Sequence, residues 1–544
     1  MTQSPISPSS RPRWLYIFAL LVMVVTTIPY IMGYAAQGTE WRFTGFVFGV
    51  EDGNSYIAKM LGGAAGEWLF RTPYTALPQR GVIAFLPYML LGKLTAPPAQ
   101  HAQLVALFHL FRFGAGILAI LATYDFIAIF TTEHRLRVWG VVLASLGGGL
   151  GWVMVLLGQK DLFDWLPLEF YSPESFGFLA LYGLPHLAMS RALLLWGLRA
   201  YLVGDVSRFT HHASHAGIYW LIMGFFQPLA VVVGWGVLGA HLLVLGIRNI
   251  ILKWKNNQVD WQPWNLFFKK AIVIGLISAP IILYTVVTFN LDPVLKSWSA
   301  QNRIISPPFL HYLLAYGILL PFVAFGVWRV IRSKEEQGWF LIAWVLALPI
   351  FVYLPISIQR RLAEGVWVAF VILAIKALDD LPESSQKGGE ISSKWPWIWA
   401  LTFPSTLILL VGGVMAARMP AQPLFRPAAE ISAFQYLAEN AKPDAVVLSA
   451  YETGNPLPAW APLQVVIGHG PETVHAKELR PRVQAFYQAG TSLEERLALL
   501  DEYQVNYVFY GPAERELGEW SPAQADYLTP VYQDGDYAIF VVDD

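Results

Sequence analysis

Long apolar runs alternate with short polar segments over most of the chain. A helix that crosses a bilayer needs about 20 mostly apolar residues, and on that basis we predict about eleven spans. They lie at residues 14–34, 103–130, 138–158, 178–203, 216–232, 233–250, 271–289, 312–331, 338–355, 362–378 and 396–416. The pattern therefore predicts a mostly α, polytopic membrane protein, with a turn inside 216–250.

The pattern changes after the last apolar run. Short runs of strand type, AVVLSA, LQVVIG, VNYVFYG and YAIFVV, alternate with helical patterns such as PAAEISAFQYLAENAK and TSLEERLALLDEY. Alternating helices and short buried strands are typical of a small α/β domain. We therefore divide the chain into a transmembrane domain, 1–419, and an α/β domain, 420–544.

Lysine and arginine set the predicted orientation. A cytoplasmic N-terminus places the basic segments EHRLR, VSRFTHH, RNIILKWKNN and RVIRSKEE inside, as the positive-inside rule requires, together with a flexible Gly/Ser-rich loop at 380–395. The first run is interpreted as a retained span, since a signal peptide has a shorter apolar core. We expect a multi-pass protein of a prokaryotic plasma membrane, with loop 35–102 and the α/β domain outside.

The first outer loop, 35–102, contains helical and apolar patterns that a simple linker would not have. NSYIAKMLGGAAGEW has helical spacing, and PQRGVIAFLPYMLLGKL is apolar but short and interrupted by proline. We expect helices that lie along the outer membrane surface.

Composition agrees with the membrane assignment and excludes several function classes. The chain is 55% hydrophobic and 14% charged, whereas soluble proteins carry about 25% charged residues. The net charge of −1 indicates no nucleic-acid partner, and the lack of cysteine excludes disulfides and thiolate metal sites. No Walker A loop, dinucleotide fingerprint or nucleophile elbow is present, which disfavours soluble nucleotide-driven chemistry.

The adjacent acids Glu51 and Asp52 open the first outer loop. In one interpretation they are solvated, with Asp52 as the N-cap of a helix that starts near Asn54. In the other, one of them is held at the membrane surface as a general base or a metal ligand. Only one of the two need be catalytic, because neighbours on an irregular segment point differently.

Cations at the predicted outer boundary are the second group of candidates. Arg360 and Arg361 stand against the positive-inside trend, and they either reach toward lipid headgroups or clamp a phosphate. Glu364 is spaced to orient one of them. Arg191 lies inside an apolar run, where it forms an ion pair or contacts a ligand. Arg303 follows in a later outer loop.

Polar and aromatic residues of the outer segments are candidates for substrate binding. They are His186, Glu169, Trp298, Asn302, Tyr56, His469 and Glu472. A mixture of this kind also forms the aromatic belt of a membrane interface. His469, Glu472 and His475 lack the spacing of a helical metallopeptidase, which needs histidines four residues apart.

With its acidic motif VEDGNSYIAKM in a large first outer loop, its many spans and its exported α/β domain, the chain resembles the GT-C superfamily of membrane glycosyltransferases. Oligosaccharyltransferases, protein O-mannosyltransferases and the aminoarabinose transferase of lipid A belong to it. AYETGNPLPAWAP stands where oligosaccharyltransferases carry a WWDYG-like signature.

The resemblance implies an inverting glycosyltransferase that takes its sugar from a polyprenyl-phosphate or polyprenyl-diphosphate donor. Asp52, or else Glu51, would be the general base, and Arg360, Arg361, Arg303 and Arg191 would bind the donor phosphate. The acceptor is an unidentified glycan, lipid or protein. A divalent metal such as Mg or Mn could share the phosphate, but Glu51 and Asp52 alone do not establish one. The alternatives are a transporter or flippase of envelope lipids or glycans, and a non-catalytic envelope scaffold.

Overall fold

A computed structural model gives the structure of the protein and describes residues 11–159, 161–203, 209–255, 258–333, 335–378 and 400–543. These residues are mostly helical, with a small sheet near the C-terminus, which confirms the predicted fold class. The predicted loop at 380–395 and the start of the last predicted span lie outside the described residues.

Helices dominate the chain up to residue 418. In the described chain they are α1 (Arg13–Ala36), α2 (Val50–Ala64), α3 (Leu86–Gly92), α4 (Gln100–Ile127), α5 (His134–Leu146), α6 (Gly151–Leu156), α7 (Phe178–Gly183), α8 (Pro185–Leu202), α9 (Phe209–Phe226), α10 (Pro228–Trp254), α11 (Gln262–Leu291), α12 (Pro293–Gln301), α13 (Phe309–Tyr316), α14 (Leu320–Ser333), α15 (Gly338–Phe351), α16 (Val366–Lys376) and α17 (Pro404–Arg418). Short 3-10 turns lie at Leu168–Phe170 and Gln359–Ala363.

The number of predicted spans is not confirmed. In the described residues, α1, α4, α10 and α11 are long and apolar enough to cross a membrane, and the pair α13 and α14, bent by 79°, would add a fifth span. Several predicted runs are broken into shorter helices because proline or glycine interrupts them. The run 178–203 breaks before Pro185, and the expected turn inside 216–250 falls between α9 and Pro228.

The described chain forms two compact units. The first unit is drawn from Met1–Thr27, Phe111–Thr285 and Arg303–Gly412, and the second from Ile28–Leu110, Val286–Asn302 and Gly413–Asp544. The domain boundary between 419 and 420 stays a prediction.

Close helix packing holds the first unit together. Its core is aliphatic and aromatic, with Trp220, Trp344 and Trp367 almost fully buried. A Cβ atom added at Gly326 would lie 2.0 Å from the carbonyl oxygen of Leu373, so α14 and α16 approach each other at a position where only glycine fits. Small residues at such crossings are typical of membrane helices, where lipid provides no hydrophobic drive for association.

The second unit contains the sheet. Its strands are β1 (Trp41–Phe43), β2 (Phe425–Pro427), β3 (Val446–Leu448), β4 (Gln464–Val465), β5 (Tyr507–Tyr510), β6 (Leu528–Asp534) and β7 (Tyr537–Val542). The five-stranded sheet has the order β4-β3-β5-β7-β6, with β3 parallel to β4 and β5, and β7 antiparallel to β5 and β6. The four predicted strands are confirmed, whereas β6 was not predicted.

Helices cover this sheet. They are α18 (Ala428–Asn440), α19 (Tyr451–Gly454), α20 (Leu457–Trp460), α21 (Ala476–Phe486), α22 (Leu493–Glu502) and α23 (Pro512–Arg515), with a 3-10 turn at Pro522–Gln524. α18 and α22 confirm the two helices predicted here, and α22 begins with a capping box between Ser492 and Glu495.

Segment 35–102 belongs to the second unit and carries α2 and α3. A Cβ atom at Gly92 would lie 1.7 Å from the carbonyl oxygen of Met60, so glycine is required where α3 crosses α2. The sequence WRF pairs as β1 with β2, just before α18. This strand pairing joins the segment before α2 to the α/β part of the chain, residues 425–543.

Candidate active site

Glu51 and Asp52 lie in the first turn of α2. Gly49 is the N-cap, with φ 57° and ψ 46°, a left-handed conformation that glycine adopts without strain. Asp52 is therefore not the N-cap, because the helix begins at Val50 rather than near Asn54. Acids in a first turn are stabilised by the helix dipole. Successive helical residues point about 100° apart, so the two carboxylates meet different neighbours.

The carboxylate of Glu51 is fixed to the α/β part. Tyr451 donates its hydroxyl to Oε1 of Glu51, and the backbone N–H of Gly470 donates to the same oxygen at 3.2 Å. The amide of Asn455 also reaches the backbone oxygen of Glu51, at 3.4 Å. These contacts attach the first turn of α2 to two segments of the α/β part.

Asp52, like Glu51, is exposed. Its side chain is 61% exposed, and Nε2 of His469 lies 3.4 Å from its Oδ1. The carboxylate can therefore meet a substrate while the buried imidazole holds it from one side. Of the two acids, Asp52 has the geometry expected of a base that acts on an external group.

A buried polar network lies behind this pair. Lys59 Nζ and Glu472 Oε1 are 2.6 Å apart, and their side chains are 1% and 2% exposed. Ser55 donates to Oε1 of Glu472 at 2.6 Å, Thr72 donates to Oε2 at 2.7 Å, and Lys59 also donates to Ser55. Both oxygens of Glu472 are thus occupied, which favours a structural role for it over the predicted substrate-binding one.

His469 connects the network to Asp52. Its Nδ1 lies 3.7 Å from Oε1 of Glu472, on the far side of the ring from Asp52. Burial alone would lower the pKa of His469, but the carboxylates of Glu472 and Asp52 outweigh burial and raise it. Burial would raise the pKa of Glu472, but Lys59 and His469 outweigh burial and lower it. The His469 ring therefore lies between two carboxylates that favour its protonated form.

These shifts predict how stability depends on pH. Protonated His469 contributes stability that is complete below its ordinary pKa of 6.5 and is lost as the pH rises through its raised folded-state pKa. Glu472 contributes stability above 4.5 that is lost as the pH falls through its lowered folded-state pKa. We expect the melting temperature to fall as the pH rises above 6.5, and His469→Gln to flatten that slope.

The control is His475→Gln, since His475 is exposed and lies in the same loop. This variant should keep the wild-type slope in a melting series recorded across that pH range. A slope in His469→Gln equal to that of the wild type would show that His469 does not carry the effect.

Aromatic rings surround the lysine. Lys59 Nζ lies 4.5 Å from the ring centroid of Phe85, 5.4 Å from that of Phe70, and 5.8 Å from those of Tyr56 and Trp298. Trp298 stacks on Phe85 with centroids 5.7 Å apart and is buried. Both Trp298 and Tyr56 were predicted to bind substrate. The packing of Trp298 favours a structural role, and that of Tyr56, which stacks on Tyr88, places it beside the network.

The loop that carries His469 is held by α12. The side-chain nitrogen of Gln301 donates to the carbonyl of Thr473 at 2.8 Å, and its oxygen accepts the N–H of Ala476 at 2.9 Å. Asn302, a predicted substrate contact, is the C-cap of α12, with its N–H bonded to the carbonyl of Trp298. Its predicted role stays a prediction.

In the first unit, Arg360 and Arg361 lie on the turn Gln359–Ala363. The guanidinium of Arg360 is 4.4 Å from the ring centroid of Tyr171, and Nε of Arg361 is 3.4 Å from Oε1 of Glu174. Within the described residues, the Nε atoms of both arginines are buried and have no hydrogen-bond partner. The prediction that Glu364 orients one of these arginines is wrong, because Glu364 pairs elsewhere.

Glu364 forms a buried ion pair with Arg191. Nε of Arg191 is 2.8 Å from Oε1 of Glu364, and its other nitrogens donate to the carbonyls of Phe176 and Pro173 at 2.9 and 2.7 Å. Of the two interpretations of Arg191, the ion pair is the one this geometry supports. A donor-phosphate contact is disfavoured because its nitrogens are spent on protein acceptors.

Three further candidates, Glu169, His186 and Arg303, belong to the first unit. Glu169 is buried, and its Oε1 accepts from the N–H of Gly151 at 2.5 Å and from Ser405 at 3.2 Å, which favours a structural role. His186 is partly buried at the start of α8, and Arg303 is exposed. The roles predicted for His186 and Arg303 stay predictions.

The residues of the site do not fit a metal centre. Within the part of the chain that the structure describes, no group of three or more His, Asp or Glu side chains is arranged to hold a metal ion. Both oxygens of Glu472 are engaged with Lys59, Ser55 and Thr72. No step of the chemistry below is therefore routed through a metal.

Four residues of the candidate site were not predicted from the sequence: Ser55, Lys59, Thr72 and Tyr451. One of them carried a signal. Lys59 is a charged residue within the apolar helical pattern YIAKMLGG, four residues after Ser55, and such a lysine needs a buried partner. Tyr451 carried no signal, since its contact with Glu51 joins residues 400 positions apart.

No family model matches the chain, and no curated protein sequence matches it. Solved structures do. The oligosaccharyltransferase of Archaeoglobus fulgidus in its apo form has a TM-score of 0.55 and 12% identity, over 95% of this chain and 73% of that one. The same protein in complex with Zn and sulfate has a TM-score of 0.53 and 13% identity, over 97% and 73%.

The arabinofuranosyltransferase AftD from Mycobacteria has a TM-score of 0.53 and 15% identity, over 100% of this chain and 42% of that one. At these identities the likeness concerns the fold. The predicted resemblance to the GT-C superfamily is confirmed at that level.

Proposed function

We propose that the protein is a membrane glycosyltransferase that transfers a sugar from a polyprenyl-phosphate or polyprenyl-diphosphate donor to an extracytoplasmic acceptor. The single observation that carries this proposal is the exposed Asp52 in the first turn of α2, held by His469 beside an anchored Glu51. The fold shared with an oligosaccharyltransferase and an arabinofuranosyltransferase supports the same class of reaction.

In the proposed reaction an acceptor heteroatom attacks the anomeric carbon of the donor sugar. The bond from that carbon to the phosphate oxygen breaks, and the lipid phosphate leaves with the electron pair. Asp52 takes the proton that the acceptor loses. The leaving phosphate is stable as an anion and needs little help from an acid, so one carboxylate suffices. A single displacement inverts the anomeric centre.

His469 and Glu51 have positioning roles in this proposal. His469 donates toward Asp52 from a buried position, so the carboxylate keeps one orientation. Glu51 joins α2 to Tyr451 and Gly470, so the first turn stays in place when a substrate arrives. Fixed geometry of this kind is what makes a proton transfer efficient.

Arg360 and Arg361 are proposed to bind the donor phosphate, and the support comes from their surroundings within the first unit. Their buried Nε atoms have no hydrogen-bond partner within the described residues, although Nε of Arg361 forms an ion pair with Glu174, and arginine's planar fork matches phosphate. The orientation, with a cytoplasmic N-terminus and an outer α/β domain, is likewise a proposal that rests on the positive-inside pattern.

The test is a transfer assay with the purified protein in lipid vesicles. Labelled sugars would be offered as polyprenyl-phosphate, polyprenyl-diphosphate and nucleotide-linked donors, each with an extract of envelope glycans, lipids and proteins as acceptor. We expect transfer from a lipid-linked donor and none from the nucleotide-linked donors. Transfer from a nucleotide sugar alone, or lipid transport without any transfer, would contradict the proposal.

A further inference from the structure

Arg480 is an exposed residue of α21, and the ring of Tyr451 connects it to Glu51. Its guanidinium carbon lies 4.1 Å from the ring centroid of Tyr451, and Tyr451 donates its hydroxyl to Glu51. The loop before α21 reaches the same acids through His469 and Gly470. One segment, residues 469–480, thus contacts both carboxylates and also carries the arginine that packs on Tyr451.

The other arginines of the α/β part are committed to protein partners. Arg426 pairs with Glu430, Arg482 with Glu502 and Arg515 with Asp536, and Arg496 donates to the carbonyls of Phe486 and Gln488. In the described chain, Arg480 has no carboxylate or carbonyl partner for its nitrogens. An arginine stacked on a ring keeps its N–H edge available while its motion is restricted.

The other cations near the acid pair cannot serve an external anion. Lys59 is 1% exposed and spends its ammonium on Glu472 and Ser55. The side chain of His469 is 6% exposed and lies between Asp52 and Glu472. A phosphate that approaches two carboxylates needs a compensating positive charge, and Arg480 is an exposed arginine that could supply it from its position on Tyr451.

We propose that Arg480 binds a phosphate oxygen of the lipid-linked donor beside Glu51 and Asp52. This inference rests on the proposed function and assigns part of its donor recognition to the α/β part. Tyr451 contacts both residues, since its hydroxyl donates to Glu51 and its ring packs against the guanidinium of Arg480. α21 is itself held in place, because Gln301 accepts the N–H of Ala476 at its first residue.

The test measures binding without catalysis. Farnesyl phosphate and farnesol would be titrated onto the purified full chain in detergent, so that the phosphate is the only difference between the two probes. The variants are Arg480→Gln and Arg480→Lys. The matched control is Arg482→Gln, which removes an exposed arginine from the same helix.

We expect the wild type and Arg482→Gln to prefer farnesyl phosphate over farnesol. Arg480→Gln should bind farnesyl phosphate about tenfold more weakly, the usual scale for one charged hydrogen bond, with farnesol binding unchanged. Arg480→Lys should recover part of the loss, because it restores the charge but not the fork.

Two outcomes would overturn the inference, and they separate it from the proposed function. If the wild type prefers the phosphate and Arg480→Gln keeps that preference, Arg480 is not a phosphate contact, and the proposed function still stands. If the wild type itself shows no preference for the phosphate, the proposed lipid-phosphate donor fails, and the inference fails with it.

Discussion

Replacing Asp52 with asparagine is expected to lower the rate of sugar transfer about 10²–10⁴-fold, the usual contribution of a general base. Asparagine keeps the size of the side chain and an oxygen that His469 can approach, but it cannot take a proton from the acceptor. The loss should therefore appear in kcat, with the KM for the donor little changed.

The fold should tolerate this change. The Asp52 side chain is 61% exposed, and substitutions at exposed positions usually alter stability by less than about 0.5 kcal/mol. The matched control is Asp526→Asn, an exposed aspartate of the same unit, which should leave the rate unchanged. A rate within a few-fold of the wild type in Asp52→Asn would remove Asp52 from the chemistry.

Replacing Lys59 with methionine is expected to destabilise the protein by about 3–5 kcal/mol, because it leaves a buried carboxylate without its cation. Glu472 is 2% exposed and would keep only the hydroxyls of Ser55 and Thr72, together with the more distant His469. The melting temperature of the purified protein would report the loss. Lys477→Met, at an exposed lysine, should have almost no effect.

A double variant separates the ion pair from general damage. In Lys59→Met with Glu472→Gln, no buried charge is left unpaired, and the amide can still bond to Ser55 and Thr72. The double variant should therefore be more stable than the sum of the two single losses predicts. Losses that add within about 0.5 kcal/mol would show that the two residues do not act as a pair.

The helices and strands with clear periodicity could be predicted from the sequence, and those shaped by tertiary pairing could not. α2 and α22 follow helical spacing, and β5 and β7 are apolar runs with turn signals beside them. β6 contains Pro530 and several polar residues, and it exists because a tight turn at Gly535, with φ 55°, pairs it with β7. Local propensity gives no sign of such a partner.

The prediction that each apolar run forms one continuous helix was wrong for a different reason. A hydropathy pattern records which residues tolerate lipid, but it does not say whether the helix is continuous. The run 178–203 is apolar throughout, yet α7 ends at Gly183 and α8 begins at Pro185. Proline lacks the N–H that a continuous helix needs at that point.

Sequence reasoning singled out candidate residues where charge stood out against an apolar background, and it missed contacts whose two residues lie far apart in the sequence. Glu51 and Asp52 were identified because acids are conspicuous in this chain. Glu472 was identified as a candidate, but its partner Lys59 lies 413 positions away, and no local pattern connects them. The same distance explains why Glu472 was assigned to substrate rather than to a buried ion pair.

Asp52 rather than Glu51 is the proposed general base, and a comparison of variants at the two positions distinguishes them. Transfer of a labelled sugar from a polyprenyl-linked donor would be measured side by side in the wild type, Asp52→Asn and Glu51→Gln. We expect a loss of about 10²-fold or more in Asp52→Asn, the general-base contribution, and a much smaller loss in Glu51→Gln, whose amide oxygen can still accept from Tyr451 and Gly470. Equal activity in all three proteins, or a large loss confined to Glu51→Gln, would contradict it.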